Sequence, residues 1–496
     1  MQCSGAEIEQ DIVAMAQEHL DVVIVGAGIS GIGAACHLQK KSAGRSYAIL
    51  EGRADLGGTW DLFRYPGIRS DSDMYTLGYA FKPWTATKSI ADGTDILNYL
   101  RETAGEHHID QHIRYRHQVT SAAWSSTDKR WLVEIERGDG EALQISCNFL
   151  FMCSGYYNYK AGYTPDFTAM DQFSGTVLHP QHWDPAVEYA DKNVVVIGSG
   201  ATAVTLVPEL AKTARSVTML QRSPSYIVAA PAVDAFAAQL RKVFAEPIVY
   251  RLSRWKNVLM GMALYAYMKK NPARSRAILL KRVAAQLGPD FDIERHFSPT
   301  YNPWDQRLCL VPDGDLFSAI AAGKATVVTD HIERFTPSGL SLKSGQQLSA
   351  DIIVTATGLD MQLAGNIPLT VDGEAVIFAD KTTYKGLAVN DVPNMAFAMG
   401  YTNASWTLKV DLTCDYVCRL LNHMALHDYR QCVPRFTGSA EDREDMLDFS
   451  SGYVQRALPF LPKQGKKRPW KLYQNVILDK LTMGYGTVAD DSMEFS

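Results

Sequence analysis

The chain has 496 residues, which is too long for a single hydrophobic core and indicates about two or three domains. Apolar residues make up 46% and charged residues 21%, as in an ordinary globular protein. The net charge of -5 gives no reason to expect a nucleic-acid partner.

The first twenty residues have no basic start and no long apolar run, both of which a secretory signal peptide requires. We therefore expect residues 1–20 to be an N-terminal extension of a cytoplasmic protein. The eight cysteines include no CxxC pair, which favours reduced thiols. Cys414 and Cys418 share one face of a predicted helix, and no His lies at ligand spacing beside them, so we expect core thiols and no metal site.

A glycine-rich turn follows the first predicted strand, Asp21 to Val25. It reads Gly26-Ala27-Gly28-Ile29-Ser30-Gly31 and leads into a predicted helix that ends near Lys41. Such glycines allow a tight turn and close backbone approach, and the N-terminus of the helix offers free N–H groups to a pyrophosphate. The next strand ends at Glu51, twenty residues after Gly31, where a carboxylate can accept hydrogen bonds from a ribose diol.

A second glycine motif follows the predicted strand Asn193 to Ile197. It reads Gly198-Ser199-Gly200-Ala201-Thr202-Ala203, and its final alanine still permits close helix packing. The strand after it is followed by Gln221-Arg222-Ser223, with no acidic residue. A carboxylate would repel a ribose 2′-phosphate, whereas a guanidinium can bind it, so this motif favours NADPH over NADH. The alternative is that Arg222 is an ordinary surface arginine.

Two further predicted strands end in small residues, namely Ser154-Gly155 and Thr355-Ala356-Thr357-Gly358. Such turns suit a chain that crosses between domains or approaches a ligand closely. We therefore predict an α/β fold with two interleaved Rossmann-like dinucleotide-binding domains and a helical insertion. Two dinucleotide motifs in one chain suggest an enzyme that holds a flavin and a nicotinamide together, the flavin at the first motif and the nicotinamide at the second. The predicted limits are 21–155 and 356–496 for the flavin domain with its C-terminal tail, and 156–355 for the nicotinamide domain, with the insertion at about 225–300.

Residues 247–289 contain nine Lys or Arg residues and no Asp or Glu, interleaved with apolar residues at helical spacing. The longest uncharged stretch, 257–268, is too short to span a bilayer. Two interpretations remain open. We favour helices that cap a substrate cavity and carry a basic, solvated face; the other is a surface in weak peripheral contact with anionic membrane.

The residues after Glu51 narrow the class of flavoenzyme. The chain has no cysteine between Glu51 and Cys147, so it lacks the redox-active pair expected in a disulfide reductase. Between the glycine motifs, the chain matches the FxGxxxHxxxW[PD] signature of the type I Baeyer-Villiger monooxygenases at Phe173, Gly175, His179, Trp183 and Asp184. A second pattern of this family is filled by Gly58, Trp60, Tyr65, Pro66, Gly67 and Asp71. The chain resembles the family over nearly its whole length, and stretches such as GYTNASWTLK resemble its ethionamide-activating subgroup.

The resemblance implies FAD, NADPH and O2, with a C4a-peroxyflavin that inserts oxygen into ketones to give esters or lactones. The peroxide attacks a carbonyl only while it is deprotonated, so a fixed cation beside it favours the reaction. By resemblance that cation is Arg307, oriented by Asp71, and arginine suits the role because it stays charged in a closed site. The alternative is that the two residues form a structural ion pair.

The motifs and the resemblance together assign the cofactor contacts. The FAD residues are Gly26, Gly28, Ile29, Ser30, Gly31, Glu51, Gly58, Thr59, Trp60, Asp71 and Gly358. The NADP residues are Arg69, Ser70, Asp71, Gly198, Ser199, Gly200, Ala201, Thr202, Ala203, Arg222 and Ser223. We interpret the signature that contains His179 as a hinge, because a linker histidine is more often a hydrogen-bonding pin than a base.

Two departures from the family affect selectivity. Gln306 stands where many members have a lysine before the arginine, so coenzyme selectivity depends more on Arg222. Asp61-Leu62-Phe63 replaces an aromatic-rich triplet, which weakens any analogy to enzymes that act on cyclic ketones.

The motifs, together with the family resemblance, therefore imply an NADPH-dependent flavin monooxygenase that acts on small ketones and on sulfides or thioamides. Two alternatives stay open: a heteroatom monooxygenase without Baeyer-Villiger activity, and a noncatalytic NADPH-binding sensor.

Overall fold

The computed structural model describes residues 18–496. Residues 1–17 of the predicted N-terminal extension therefore lie outside the described residues. Glu18, the first described residue, forms an ion pair with Arg114. The strands, numbered in chain order, are β1 His19–Val25, β2 Tyr47–Glu51, β3 Ile113–Tyr115, β4 His117–Ser125, β5 Arg130–Arg137, β6 Ala142–Met152, β7 Thr176–Leu178, β8 Asn193–Ile197, β9 Ser216–Gln221, β10 Ile227–Ala230, β11 Cys309–Pro312, β12 Ala325–Thr329, β13 Ile332–Thr336, β14 Gly339–Leu342, β15 Gln347–Ser349, β16 Ile352–Thr355, β17 Leu369–Val371, β18 Glu374–Ala375, β19 Thr383–Tyr384, β20 Ala388–Val389, β21 Met395–Phe397, β22 Cys432–Pro434, β23 Arg443–Asp445, β24 Lys463–Gly465 and β25 Met493–Phe495. The α-helices are α1 Ile29–Lys41, α2 Thr59–Leu62, α3 Met74–Leu77, α4 Gly93–Glu106, α5 Ala201–Leu210, α6 Ala235–Leu240, α7 Glu246–Lys270, α8 Pro272–Leu287, α9 Ile293–Phe297, α10 Asp315–Ala321, α11 Trp406–Leu426, α12 Gly452–Ala457 and α13 Val476–Asp479.

The larger sheet has nine strands in the order β18-β17-β4-β5-β6-β1-β2-β3, with β21 also paired to β6. Strand β1 runs parallel to both β2 and β6, with Val22 opposite Tyr47 and Phe149. Its continuous apolar sequence is explained by burial on both faces. Helices α1 and α11 pack against each other on one face, and a second hydrophobic cluster covers the other face.

The second sheet has five parallel strands in the order β12-β9-β8-β16-β7. Helix α5 packs over β8 and β9 on one face, and the hairpin strands β13 to β15 cover the other face. Each sheet contains a set of parallel strands that begins with a strand, a glycine turn and a helix, which is the signature of dinucleotide-binding folds. The prediction of an α/β fold with two Rossmann-like units is confirmed.

The chain crosses between the sheets after β6 and after β16. All strands of the five-stranded sheet lie between Thr176 and Thr355, whereas the nine-stranded sheet takes strands from both sides of that range. The crossing after β6 passes the glycine turn at Gly26, and the crossing after β16 passes the glycine turn at Gly198.

Helices α7 and α8 form the predicted helical insertion, but they do not cap the cavity. No residue of either helix lines the cavity within the described part of the chain. Instead, α7 packs on α3, where Arg254 donates hydrogen bonds to the carbonyls of Tyr75, Thr76 and Gly78 and pairs with Asp411 at 3.3 Å. Carbonyls at a helix end lack partners within the helix, and a guanidinium can satisfy several of them. The favoured interpretation of these helices as a cap is wrong for this cavity.

Cys414 and Cys418 are both buried in α11, and burial raises the pKa of Cys418 to about 12. Between residues 18 and 496, no group of His, Cys, Asp and Glu side chains is arranged to hold a metal ion. Within the same range, no helix is long and apolar enough to cross a membrane.

Candidate active site

One cavity of about 1170 Å³ lies between the two sheets and is lined by both glycine motifs. This volume exceeds the roughly 300–1,000 Å³ of a usual small-molecule pocket. Every residue predicted to bind FAD except Gly31, and every residue predicted to bind NADP except Ala203, lines this cavity. The structure therefore brings two motifs that are far apart in sequence to one site.

The first glycine turn is shaped by close backbone contacts. Gly26 has φ +101°, and a Cβ there would lie 2.8 Å from the carbonyl oxygen of Cys153, where the chain leaves β6. A Cβ on Gly31 would lie 1.9 Å from the carbonyl oxygen of Gly26, so Gly31 serves the packing of α1 and does not line the cavity. Helix α1 begins after Gly28 without a side-chain cap. Its first N–H groups are thus available to an anion.

The second glycine turn repeats this arrangement. Gly198 has φ +139°, and a Cβ there would lie 2.3 Å from the carbonyl oxygen of Ala356, where the chain leaves β16. A Cβ on Gly200 would meet nothing within 4 Å, so this glycine faces open space. Helix α5 also begins without a side-chain cap, and Ala203 is fully buried beneath the turn. Both turns suit the close approach of a pyrophosphate.

Glu51 lies at the end of β2, 6% exposed, at the wall of the cavity. Its Oε2 accepts a hydrogen bond from the N–H of Ala27 at 2.7 Å, and its Oε1 accepts one from the N–H of Arg53 at 2.9 Å. Burial raises the pKa of Glu51, although the two N–H donors oppose the shift. Each carboxylate oxygen keeps a further lone pair for a ribose hydroxyl.

The loop after Glu51 comes close to the first glycine turn. Gly58 has φ +57°, and a Cβ there would lie 3.0 Å from the Cα of Gly28. Thr59 and Trp60 begin α2, and all three residues line the cavity. Gly358, with φ +114°, lines it from the crossing after β16.

Arg222 follows β9 and is exposed at the cavity wall. It has no ion-pair partner within residues 18–496. The neighbouring Ser223 accepts a hydrogen bond through its carbonyl from the hydroxyl of Ser199 at 3.0 Å. An unpaired guanidinium beside the second glycine turn is available to a phosphate.

Lys343 and His331 also line the cavity, and the sequence did not reveal them. Strand β12 pairs with β9, and the N–H of Asp330 donates to the carbonyl of Gln221 at 3.0 Å. The N–H of Lys343 donates to the carbonyl of His331 at 2.9 Å, so this hairpin lies beside the end of β9 that precedes Arg222. Only the strand order reveals this cation, because Lys343 is distant from Arg222 in sequence.

Arg307 and Asp71 meet in the cavity wall. The Nη1 of Arg307 donates to Oδ2 of Asp71 at 2.9 Å, and its Nη2 lies 3.5 Å from the carbonyl oxygen of Tyr401. Their side chains are 35% and 43% exposed, and both line the cavity. Burial alone lowers the pKa of Arg307, but the Asp71 carboxylate and nearby tyrosines raise it by more, so the guanidinium stays charged.

Aromatic side chains that the sequence did not single out surround Arg307. Burial raises the pKa of Tyr156 and Tyr157, and raises that of Tyr453 to about 12, so their hydroxyls stay protonated near neutral pH. Tyr156 stacks on Trp406 with ring centroids 4.8 Å apart, and Trp406 donates to the hydroxyl of Ser30 at 2.8 Å. Of these aromatic residues, only Trp406 lies in a stretch that the sequence analysis had quoted, GYTNASWTLK, and there it served only the family resemblance.

Arg69 and Ser70 already have protein partners. The guanidinium of Arg69 pairs with Asp315 at the start of α10, with Nη2 3.3 Å from Oδ1, while its buried Nε has no hydrogen-bond partner among the described residues. The hydroxyl of Ser70 donates to the carbonyl of Ser72 at 2.6 Å. Both residues line the cavity, but the guanidinium of Arg69 is engaged by Asp315 and the hydroxyl of Ser70 by its own loop.

The signature residues lie outside the cavity lining. His179 donates from Nε2 to the carbonyl of Gly358 at 3.2 Å and accepts through Nδ1 from the N–H of Gln181 at 3.2 Å. Burial lowers the pKa of His179, so it is neutral near pH 7. Phe173 and Trp183 are buried. A Cβ on Gly175 would lie 2.4 Å from the carbonyl oxygen of Asp351. The carboxylate of Asp184 accepts a hydrogen bond from the N–H of Ala186 at 2.9 Å.

Comparisons with known proteins agree with this site. A family model described as flavin-binding monooxygenase-like matches residues 87–245, and one described as an NAD(P)-binding Rossmann-like domain matches residues 24–87. The structure of a steroid monooxygenase bound to NADP is similar in fold, with a TM-score of 0.75, 22% identity and coverage of 96% of this chain and 99% of that one.

Two relatives are similar over nearly their full lengths. The probable FAD-binding monooxygenase AlmA of Acinetobacter baylyi is 47% identical over 482 residues, which is 97% of this chain and 96% of AlmA. The FAD-containing monooxygenase EthA of Mycobacterium tuberculosis is 53% identical over 480 residues, which is 97% of this chain and 98% of EthA. The chain therefore belongs to the family of FAD-containing monooxygenases that includes EthA.

Proposed function

We propose that this chain is an NADPH- and O2-dependent FAD monooxygenase that converts small ketones to esters or lactones and also oxygenates sulfides and thioamides. The observation that carries the proposal is the permanent cation Arg307, held by Asp71, in a cavity shared by two dinucleotide motifs. The proposal names Arg307 and Asp71 as the catalytic residues. Cytoplasmic location and the domain limits given above belong to the same proposal.

The first motif would hold FAD. The uncapped start of α1 after Gly28 suits its pyrophosphate, and Glu51 suits a ribose diol. Gly58, Thr59 and Trp60 would contact it from the opposite side of the first turn. When bound, reduced FAD supplies the activation of O2.

The second motif would hold NADPH. Gly200 leaves room for the pyrophosphate, and the start of α5 offers N–H donors. Arg222 would bind the ribose 2′-phosphate, with Lys343 as a second cation in place of the missing lysine at Gln306. This arrangement favours NADPH over NADH.

Arg307 would stabilise negative charge that develops on oxygen during attack on a ketone carbonyl. A guanidinium suits this role because it holds its charge at every working pH, and Asp71 fixes its position. Tyr156, Tyr157 and Trp406 form an apolar wall that suits a small apolar ketone and limits access of water.

His179 would act as a pin between the linker and the second crossing. Its hydrogen bond to Gly358 connects the segment before β8 to the loop that enters the cavity. A neutral imidazole with both nitrogens already bonded suits a hinge better than a proton-transfer role.

Oxidation of a simple methyl ketone and of a methyl sulfide by the FAD-loaded enzyme tests the proposal. We expect ester and sulfoxide, each coupled to NADPH and O2 consumption. The ester is the diagnostic product, because attack on the ketone requires an anionic oxidant. Sulfoxide without ester would favour the heteroatom monooxygenase. Tight FAD binding with neither product would favour the noncatalytic sensor.

A further inference from the structure

Helix α7 has an exposed apolar face that the activity above does not use. Seven of its large apolar side chains are between 37% and 59% exposed, namely Ile248, Leu252, Trp255, Leu259, Met260, Leu264 and Tyr267. We propose that this apolar α7 face docks on a membrane surface rich in anionic lipid. The proposal does not depend on the reaction that the enzyme catalyses.

Four of these exposed apolar side chains are aligned along the first half of α7. Ile248, Leu252, Trp255 and Leu259 recur at i, i+4, i+7 and i+11, which places them in one stripe. The opposite side holds the helix to the protein, because Tyr250 donates to the carbonyl of Tyr79 at 2.8 Å and Arg254 caps α3. The 25 residues of α7 lie along the surface over about 37 Å.

The C-terminal segment extends the same face. The Nζ of Lys480 lies 4.5 Å from the ring centroid of Trp255, so this segment runs alongside α7. It adds three exposed apolar side chains, Ile477, Leu481 and Tyr485, at 39%, 56% and 74% exposure. Exposed apolar surface from two separate segments, brought together, marks an interaction site.

The charge around this face selects the partner. Exposed Arg251, Lys270 and Arg274 have no ion-pair partner in the described part of the chain, and residues 247–289 contain no acid. The rest of the chain is acidic, since the net charge is -5. A second copy would bring like charges together, whereas an anionic bilayer surface complements both the basic residues and the apolar stripe.

Co-sedimentation with lipid vesicles tests the proposal. The full-length, FAD-loaded protein is mixed with vesicles of phosphatidylcholine alone or with about one-third phosphatidylglycerol, at about 0.05 M and about 0.5 M NaCl. We expect binding to the anionic vesicles that weakens at high salt. The double variant Leu259→Glu/Leu264→Glu should lower the partition coefficient at least about tenfold. Lys270→Glu/Arg274→Glu should lower it by a similar factor at low salt only.

A matched control is Leu426→Glu, since Leu426 is 79% exposed at the far end of α11, about 30 Å from the start of that helix. This variant should bind vesicles like the parent. Absence of binding to anionic vesicles, or an equal loss in the control, would overturn the proposal. So would sedimentation velocity showing that Leu259→Glu/Leu264→Glu dissociates a dimer, because the face would then join two copies of the chain.

Discussion

Replacement of Arg222 by alanine should reduce the use of NADPH and leave the use of NADH nearly unchanged. Arg222 stands at the end of β9, exposed to the cavity and without an ion pair within residues 18–496, so its removal leaves no buried charge behind. A hydrogen bond to a charged group contributes about 1.5–3 kcal/mol, and partial exposure places this one near the lower end. A loss of about 2 kcal/mol corresponds to a roughly 30-fold lower kcat/KM for NADPH.

The assay is steady-state oxidation of each coenzyme at fixed ionic strength. Arg215→Ala is a matched control, because Arg215 is an exposed arginine at the opposite end of the same strand. Lys343→Ala should lower kcat/KM for NADPH by about three- to fivefold, as expected for a second exposed charge at the same site. Equal changes for NADPH and NADH in Arg222→Ala would refute the assignment.

Three further predictions concern the turns, the hinge and a buried ion pair. Gly31→Ala should prevent stable folding or FAD retention, because its Cβ would lie 1.9 Å from the carbonyl oxygen of Gly26, and thermal unfolding will show this. Gly200→Ala meets no atom within 4 Å, so it should keep the parent Tm in the same experiment. It should raise KM for NADPH about tenfold in steady-state kinetics, because its Cβ would enter the space for the pyrophosphate. Burial lowers the pKa of His179 in the folded protein, so the unfolded chain binds a proton more readily. The free energy of unfolding therefore falls as the pH drops below about 6.5, the usual pKa of histidine. The fall in Tm between about pH 7 and pH 5.5 should be smaller in His179→Gln. Lys409→Met should cost about 3 kcal/mol in urea unfolding, because the buried Asp479 would lose its cation, 2.8 Å away, and keep only the hydrogen bond from the hydroxyl of Tyr401. Lys409→Met/Asp479→Leu should recover part of that loss.

The sequence predicted the features whose causes are local. Strand, glycine turn and helix are adjacent in the chain at both motifs, so β8 was predicted with its observed bounds, Asn193–Ile197. Strand β1 begins at His19, two residues before the predicted start at Asp21. Strand ends shift because a neighbour decides them, and here β6 pairs with β1 as far as His19.

The features that were missed arise from contacts distant in sequence. The closeness of Lys343 to Arg222 follows from the pairing of β12 with β9, which a single sequence does not reveal. The cap interpretation of α7 was wrong because the partners of Arg254 are carbonyls of α3 and Asp411, and nothing in the sequence of α7 specifies them. The catalytic roles of Arg307 and Asp71 were assigned from family resemblance. In the structure, Nη1 of Arg307 lies 2.9 Å from Oδ2 of Asp71.

The most direct test of the account is the ester formed per NADPH oxidised by Arg307→Ala with a methyl ketone as substrate. The account predicts that NADPH oxidation continues while ester falls at least about 100-fold and H2O2 takes its place, because the charge that stabilises the reacting oxygen is gone. Arg307→Lys should keep part of the ester yield, since it retains the charge. Ester formation by Arg307→Ala at the parent ratio would contradict the catalytic role of Arg307.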